Sequence, residues 1–111
     1  MNDRKRAHLL SWFAKAAAEF IARTIAIKEG VITVTRVDIH PSLERATVYV
    51  SVWPESKESE AMKSLKSVRR DFYEYAERKF TMRQRTAVEF KIDPGEKARR
   101  RFEEILRRDK K

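Results

Sequence analysis

The chain contains no cysteine, so disulfides and thiolate metal sites are excluded. Only two glycines and three prolines punctuate its 111 residues, and neither a Gly-rich phosphate loop nor a Gly/Ser linker is present. No apolar run approaches the ~18 residues of a membrane helix. The start, Met1-Asn2-Asp3-Arg4-Lys5-Arg6, lacks a secretory apolar core. The two histidines, His8 and His40, stand far apart in the sequence. Asp38 and Asp93 fall near strand ends without a paired nucleophile or metal-ligand spacing. These absences point away from catalysis. A cytoplasmic, non-enzymatic protein is expected, with no cofactor, no metal, no membrane and no small-molecule substrate.

Charge is what the chain has in abundance. Charged residues make up 39% of it, with 26 basic against 17 acidic side chains and a net charge of +9. Such a balance suggests a polyanionic partner, nucleic acid or an acidic membrane surface. The excess is uneven: residues 1–30 carry +3, 31–55 carry −1, 56–93 carry +3 and 94–111 carry +4. A polyanion is therefore expected to meet the helical flanks and tail rather than the strands. The basic residues do not back one exposed apolar helix face, which argues against a membrane surface. The length suits one domain with one core.

Periodicity supplies the elements. Leu9, Leu10, Phe13, Ala17, Phe20 and Ile21 recur at three- and four-residue spacing, predicting an amphipathic helix over 6–27, capped by Asn2 or Asp3 and stopped at Gly30. Val31 to Ile39 is β-branched but alternates imperfectly. After the break His40-Pro41-Ser42-Leu43-Glu44, the residues Ala46, Val48, Val50 and Val52 alternate with Thr47, Tyr49, Ser51 and Trp53. Pro54 closes that strand, and Ser56 or Ser59 is a candidate N-cap for one long helix running to about residue 80. Its stripe is Met62, Leu65, Val68, Phe72, Tyr75, Ala76 and Phe80. Thr86, Val88, Phe90 and Ile92 mark a third strand, ended by Pro94-Gly95. A marginal tail helix over 96–109 carries Ala98, Phe102, Ile105 and Leu106 on one face, with Glu103–Arg107 and Glu104–Arg108 as i,i+4 pairs. Two apolar helix stripes need one sheet face to bury against, which predicts a two-layer α+β sandwich.

The element order is that of a type II KH domain, an RNA-binding module. The segment Gly30-Val31-Ile32-Thr33-Val34-Thr35-Arg36-Val37, with the strand Ala46 to Val52, resembles the signature of the ribosome-binding factor A family. Val34 to Val37, Pro41, Leu43, Ala46 and Val48 to Val52 match, and Arg83 and Phe90 match in the later segment. The resemblance covers roughly residues 4 to 93. It implies a KH-like RNA-binding domain over 1–93, followed by a basic C-terminal helix or tail over 94–111. His40 and Ser42 replace the usual Ser and Asp of the family's turn, and Thr86 replaces its Pro. The family also bends its long helix at an Ala-x-Gly kink; here Val68-Arg69-Arg70 stands at that place without a glycine, so both a kinked and a straighter long helix stay open.

The resemblance further implies a ribosome biogenesis factor that binds the immature small ribosomal subunit and its rRNA and assists late rRNA maturation, acting as a monomer. The competing readings are a generic KH-like RNA-binding or ribosome-associated stress protein, and a small nuclease. Arg69, Arg70, Arg78, Lys79, Arg83 and Arg85 form the densest basic stretch and are the first candidates for phosphate contact. Glu74 and Glu77 neutralise part of it, so a solvated helix face competes with that role. Arg4, Lys5 and Arg6 oppose the dipole of the helix they begin, so helix stability does not explain them. Arg99-Arg100-Arg101 and the terminal lysines serve equally as an RNA arm or as solubilising charge. Tyr49 and Trp53 are expected to pack under the tail helix rather than to stack on bases.

Overall fold

The computed structural model describes residues 3–79 and 86–109. In chain order these form α1 (Asp3–Thr24), β1 (Val31–Ile39), β2 (Arg45–Trp53), a 3-10 turn (Glu55–Lys57), α2 (Glu58–Ser67), α3 (Arg69–Lys79), β3 (Ala87–Ile92) and α4 (Pro94–Asp109). The helix α1 ends before the predicted residue 27. The Thr24 hydroxyl donates to the Phe20 carbonyl (2.7 Å), and β-branched Ile25 and Ile27 follow. Gly30 is needed for close approach: a Cβ there would lie 2.8 Å from Ile27 Cγ2.

The sheet order is β1-β2-β3, with β2 antiparallel to β1 and parallel to β3. A parallel neighbour requires a crossover, which α2 and α3 provide. The imperfect alternation of β1 has a cause. The register slips between Val34 and Arg36, so Thr35 is an extra, bulged residue and the inward phase changes there. On β2 the inward set is as expected: Ala46, Val48, Val50 and Val52 are all buried. Phe13, Ala17, Phe20 and Ile21 of α1 cover that face together with Ala61 and Leu65 of α2 and Phe72 and Ala76 of α3. Phe72 is the hub, with ring centroids 5.5 Å from Phe13, 5.2 Å from Phe20 and 5.8 Å from Phe90.

The long helix is not straight. It breaks at Val68, which leaves helical geometry (φ −103, ψ 8). The Ser67 hydroxyl donates to the Ser64 carbonyl (2.7 Å), and the Val68 N–H reaches back to Leu65 (3.2 Å) instead of to residue 64. A tightened last turn and a β-branched residue thus end α2 without any glycine. Of the two alternatives the kinked helix is the one formed, with its break at the Val68-Arg69-Arg70 position. Neither Ser56 nor Ser59 caps α2, because a 3-10 turn precedes it and Lys57 stands at the N-cap.

The tail also departs from expectation. Phe102, Ile105 and Leu106 of α4 are 61%, 55% and 44% exposed, so they cover neither Tyr49 nor Trp53. Tyr49 is covered instead by the Arg36 guanidinium, 3.7 Å from its ring centroid. Glu103 pairs with Arg99 (2.6 Å) rather than with Arg107, whereas Glu104 pairs with Arg108 (3.0 Å) as predicted.

Candidate nucleic-acid interface

The antiparallel hairpin and the parallel third strand bring three strand ends together. Ile39 of β1, Arg45 of β2 and Ala87 of β3 all lie at one end of the sheet. The chain reverses there through a compact turn. The His40 N–H donates to the Arg45 carbonyl (2.9 Å), the Leu43 N–H donates to the His40 carbonyl (2.8 Å), and Leu43 takes φ 64. Ser42 is held against His40 Nδ1 (2.8 Å), so this pair fills the role of the expected family turn. Thr86 closes the end from below: buried, its hydroxyl donates to the Leu43 carbonyl at 2.6 Å.

Two helices start at this same end. The first turn of α1 delivers Arg6, whose guanidinium donates to the Ile39 carbonyl. The break at Val68 delivers Arg69 as the first residue of α3. A groove of about 710 Å³ lies between them, and its wall carries the cations Arg6, Arg45, Arg69 and Lys91. Asp38 and Glu89 also line it, and Glu89 lies 3.9 Å from the Lys91 ammonium. Arg45 and Arg69 have no ion-pair partner among the described residues and are exposed.

The candidates from the sequence are thus partly gathered and partly separated. Arg6 and Arg69 share the groove, and Arg4 and Lys5 lie exposed in the first turn of α1. Arg70 lines an adjoining hollow with Arg69, Tyr73 and Thr86; it is 86% exposed and pairs with Glu74 at 3.7 Å. Arg78 and Lys79 sit at the far end of α3, about 15 Å away along the helix axis, and the Lys79 ammonium lies 5.5 Å from the Tyr75 ring. Arg83 and Arg85 lie outside the described residues. Arg45 and Lys91 were missed because acidic strand residues balance them when charge is summed by segment. Both fall on the outward phase of their strands, which is the signal that could have found them. Among the described residues no cluster suits a metal ion, and no helix is long and apolar enough to cross a membrane.

A basic groove at the bend of a KH-like fold can be compared with known proteins. The sequence model of the family described as ribosome-binding factor A matches residues 5–106. This protein belongs to the ribosome-binding factor A family. The match extends beyond the hairpin signature and takes in most of α4. Among solved structures, the crystal structure of ribosome-binding factor A from Thermus thermophilus is similar, with 27% identity over 78% of this chain and 92% of that chain, and a TM-score of 0.65. Coordinates of the same Thermus factor, fitted into a cryo-EM map of a 30S complex, give 27% identity, 78% and 92% coverage, and a TM-score of 0.66. A putative ribosome binding factor A from Thermotoga maritima, solved by NMR, shares the fold at 24% identity, 86% and 93% coverage, and a TM-score of 0.69. The search of curated proteins finds no match.

Proposed function

We propose that this member of the ribosome-binding factor A family binds the immature small ribosomal subunit through its rRNA and assists late maturation of that RNA. The observation that carries the reading is the groove in which Arg6, Arg45, Arg69 and Lys91 converge from four elements at one sheet end. Four cations facing one channel suit a phosphate backbone, since each displaces condensed counterions. Arg supplies planar, bidentate donors, and Lys a point charge. The flank of the groove is formed by the helix break, so the bend aims Arg69 at the ligand. The related Thermus factor was fitted into a map of its 30S complex, which supports the same partner here.

The mechanism is binding energy applied to one RNA conformation. A protein that prefers one arrangement of a maturing rRNA shifts the population toward it by its differential affinity, without chemistry. Recognition by shape and phosphates suits structured RNA. The protein acts as a cytoplasmic monomer over a KH-like unit of residues 1–93, with 94–111 as a basic appendage. Arg4, Lys5 and Arg70 extend the contact around the groove; Arg78 and Lys79 at the far end of α3, and Arg83 and Arg85 outside the described residues, are further phosphate contacts in this reading. Titration of labelled protein onto purified small and large subunits tests the reading. Selective small-subunit binding that falls at least ten-fold in Arg45→Glu/Arg69→Glu is expected; equal binding to both subunits would refute it.

A further inference from the structure

A second groove lies at the opposite end of the sheet. Arg45 begins β2 and Trp53 ends it, so the two ends are about 27 Å apart. Trp53 is 64% exposed, an unusual position for the largest apolar side chain. Beside it, α4 leaves a channel of about 610 Å³ walled by Trp53, Pro54 and the guanidiniums of Arg100, Arg101, Arg107 and Arg108, with the carboxylates Glu55 and Glu104 among them.

The channel is held open by a polar clamp. Lys97 bonds Glu58 (3.0 Å) and lies 3.7 Å from Glu55. Arg100 donates to the Val52 carbonyl (3.2 Å) and to the Ser51 hydroxyl, and Arg101 lies 3.6 Å from Glu55. Asp93 caps the helix, accepting from Gly95 N–H (2.9 Å) and Glu96 N–H (3.2 Å). These contacts fix the rotation of α4. Its arginine side faces Trp53, and its apolar stripe faces away. A helix docked only to bury apolar area would turn the stripe onto the indole. Arg107 has no described partner, and Arg100 Nε is buried without a hydrogen bond among the described residues.

We propose that this groove is a second RNA site, specific for a single strand: one unpaired base stacks on the Trp53 indole while Arg107 meets a flanking phosphate and Arg101 and Arg108 exchange Glu55 and Glu104 for phosphate oxygens. An indole among guanidiniums is the chemistry of base stacking with backbone neutralisation. The volume lies within the range of sites that hold one small ligand. A duplex hides the faces of its bases, so only unpaired RNA can occupy it. A protein segment would be expected on the apolar stripe, on the other side of α4. The site rests on the reading of the protein as an RNA binder, yet it lies at the far end from the first groove, so the two can fail separately.

The test uses Trp12→Phe full-length protein, in which Trp53 is the sole tryptophan. An oligouridylate of about eight nucleotides should quench its fluorescence, and a blunt duplex of equal length should not. By anisotropy of a labelled oligouridylate, Trp53→Ala should lower affinity for the single strand about ten-fold, with Trp53→Phe losing less, because a phenyl ring still stacks. Since Trp53 is exposed, circular dichroism should remain unchanged. Arg45→Gln/Arg69→Gln should leave the quenching in place even where small-subunit binding falls. Equal quenching by duplex, or a Trp53→Ala affinity within two-fold of the parent, would overturn the site. Weaker subunit binding by Trp53→Ala with unchanged oligonucleotide affinity would also overturn it, because the occupant would then be protein.

Discussion

Replacing Arg45 and Arg69 together by Gln removes two charges from the first groove while touching nothing in the core. Both side chains are exposed and have no ion pair among the described residues, so stability should move by less than about 0.5 kcal/mol. If each guanidinium holds one phosphate, the slope of log affinity against log salt should shrink by about 1.6 for the pair. The same counterion term predicts a loss of about 40-fold at 0.1 M salt but only about 7-fold at 0.3 M. The assay is a titration of purified small subunits at four or more salt concentrations, with parent and variant in parallel. Two parallel lines would refute the reasoning, because the arginines would then touch no phosphate. A uniform loss with an altered melting temperature would assign them a structural role instead.

Further outcomes follow from the packing and the polar contacts. Phe90→Ala should cost about 3–5 kcal/mol in urea unfolding, since Phe90 is buried against Phe72; an unchanged midpoint would mean the strand phase is wrong. Thr86→Val keeps the shape but orphans the Leu43 carbonyl, so it should destabilise by about 1–3 kcal/mol, while Thr86→Ser should restore the bond. Asp93 is held below the ordinary carboxylate value of 3.8, chiefly by the Thr35 hydroxyl and then by the Glu96 and Gly95 N–H groups and Arg36, against the opposing effect of burial. A depressed carboxylate contributes its stability above the unfolded value and loses it as pH falls through the folded one. Asp93→Ala should therefore cost about 1 kcal/mol at pH 7. Thermal melts at decreasing pH should show that difference shrinking below 3.8, and a constant difference would exclude the linkage.

The layers of the fold were legible because burial writes a period into the sequence. Val48, Val50 and Val52 on one strand, and Phe13, Ala17 and Phe20 on one helix, could face only each other. The place of the helix break was legible only through the family resemblance at Val68-Arg69-Arg70, not through periodicity. Nothing in the stripe Leu65, Val68, Phe72 interrupts the spacing, and the cause is a hydroxyl from Ser67 competing for a carbonyl one turn back. The tail was misread for a related reason. Its apolar stripe suggested docking, but Lys97, Arg100 and Arg101 find Glu55, Glu58 and the end of β2, and these polar contacts decide its rotation. The basic groove was half legible. Runs of Arg stand out in a sequence, whereas Arg45 and Lys91 are single residues that only strand pairing brings beside Arg6 and Arg69.

The central claim concerns the partner, and sedimentation tests it most directly. Tagged protein is fractionated with cell lysate on a gradient, and the rRNA in each fraction is sized. The protein should travel with small subunits enriched in unprocessed rRNA, and Arg45→Glu/Arg69→Glu should shift it to the free fractions. Parent protein found free, or with large subunits, would contradict the claim.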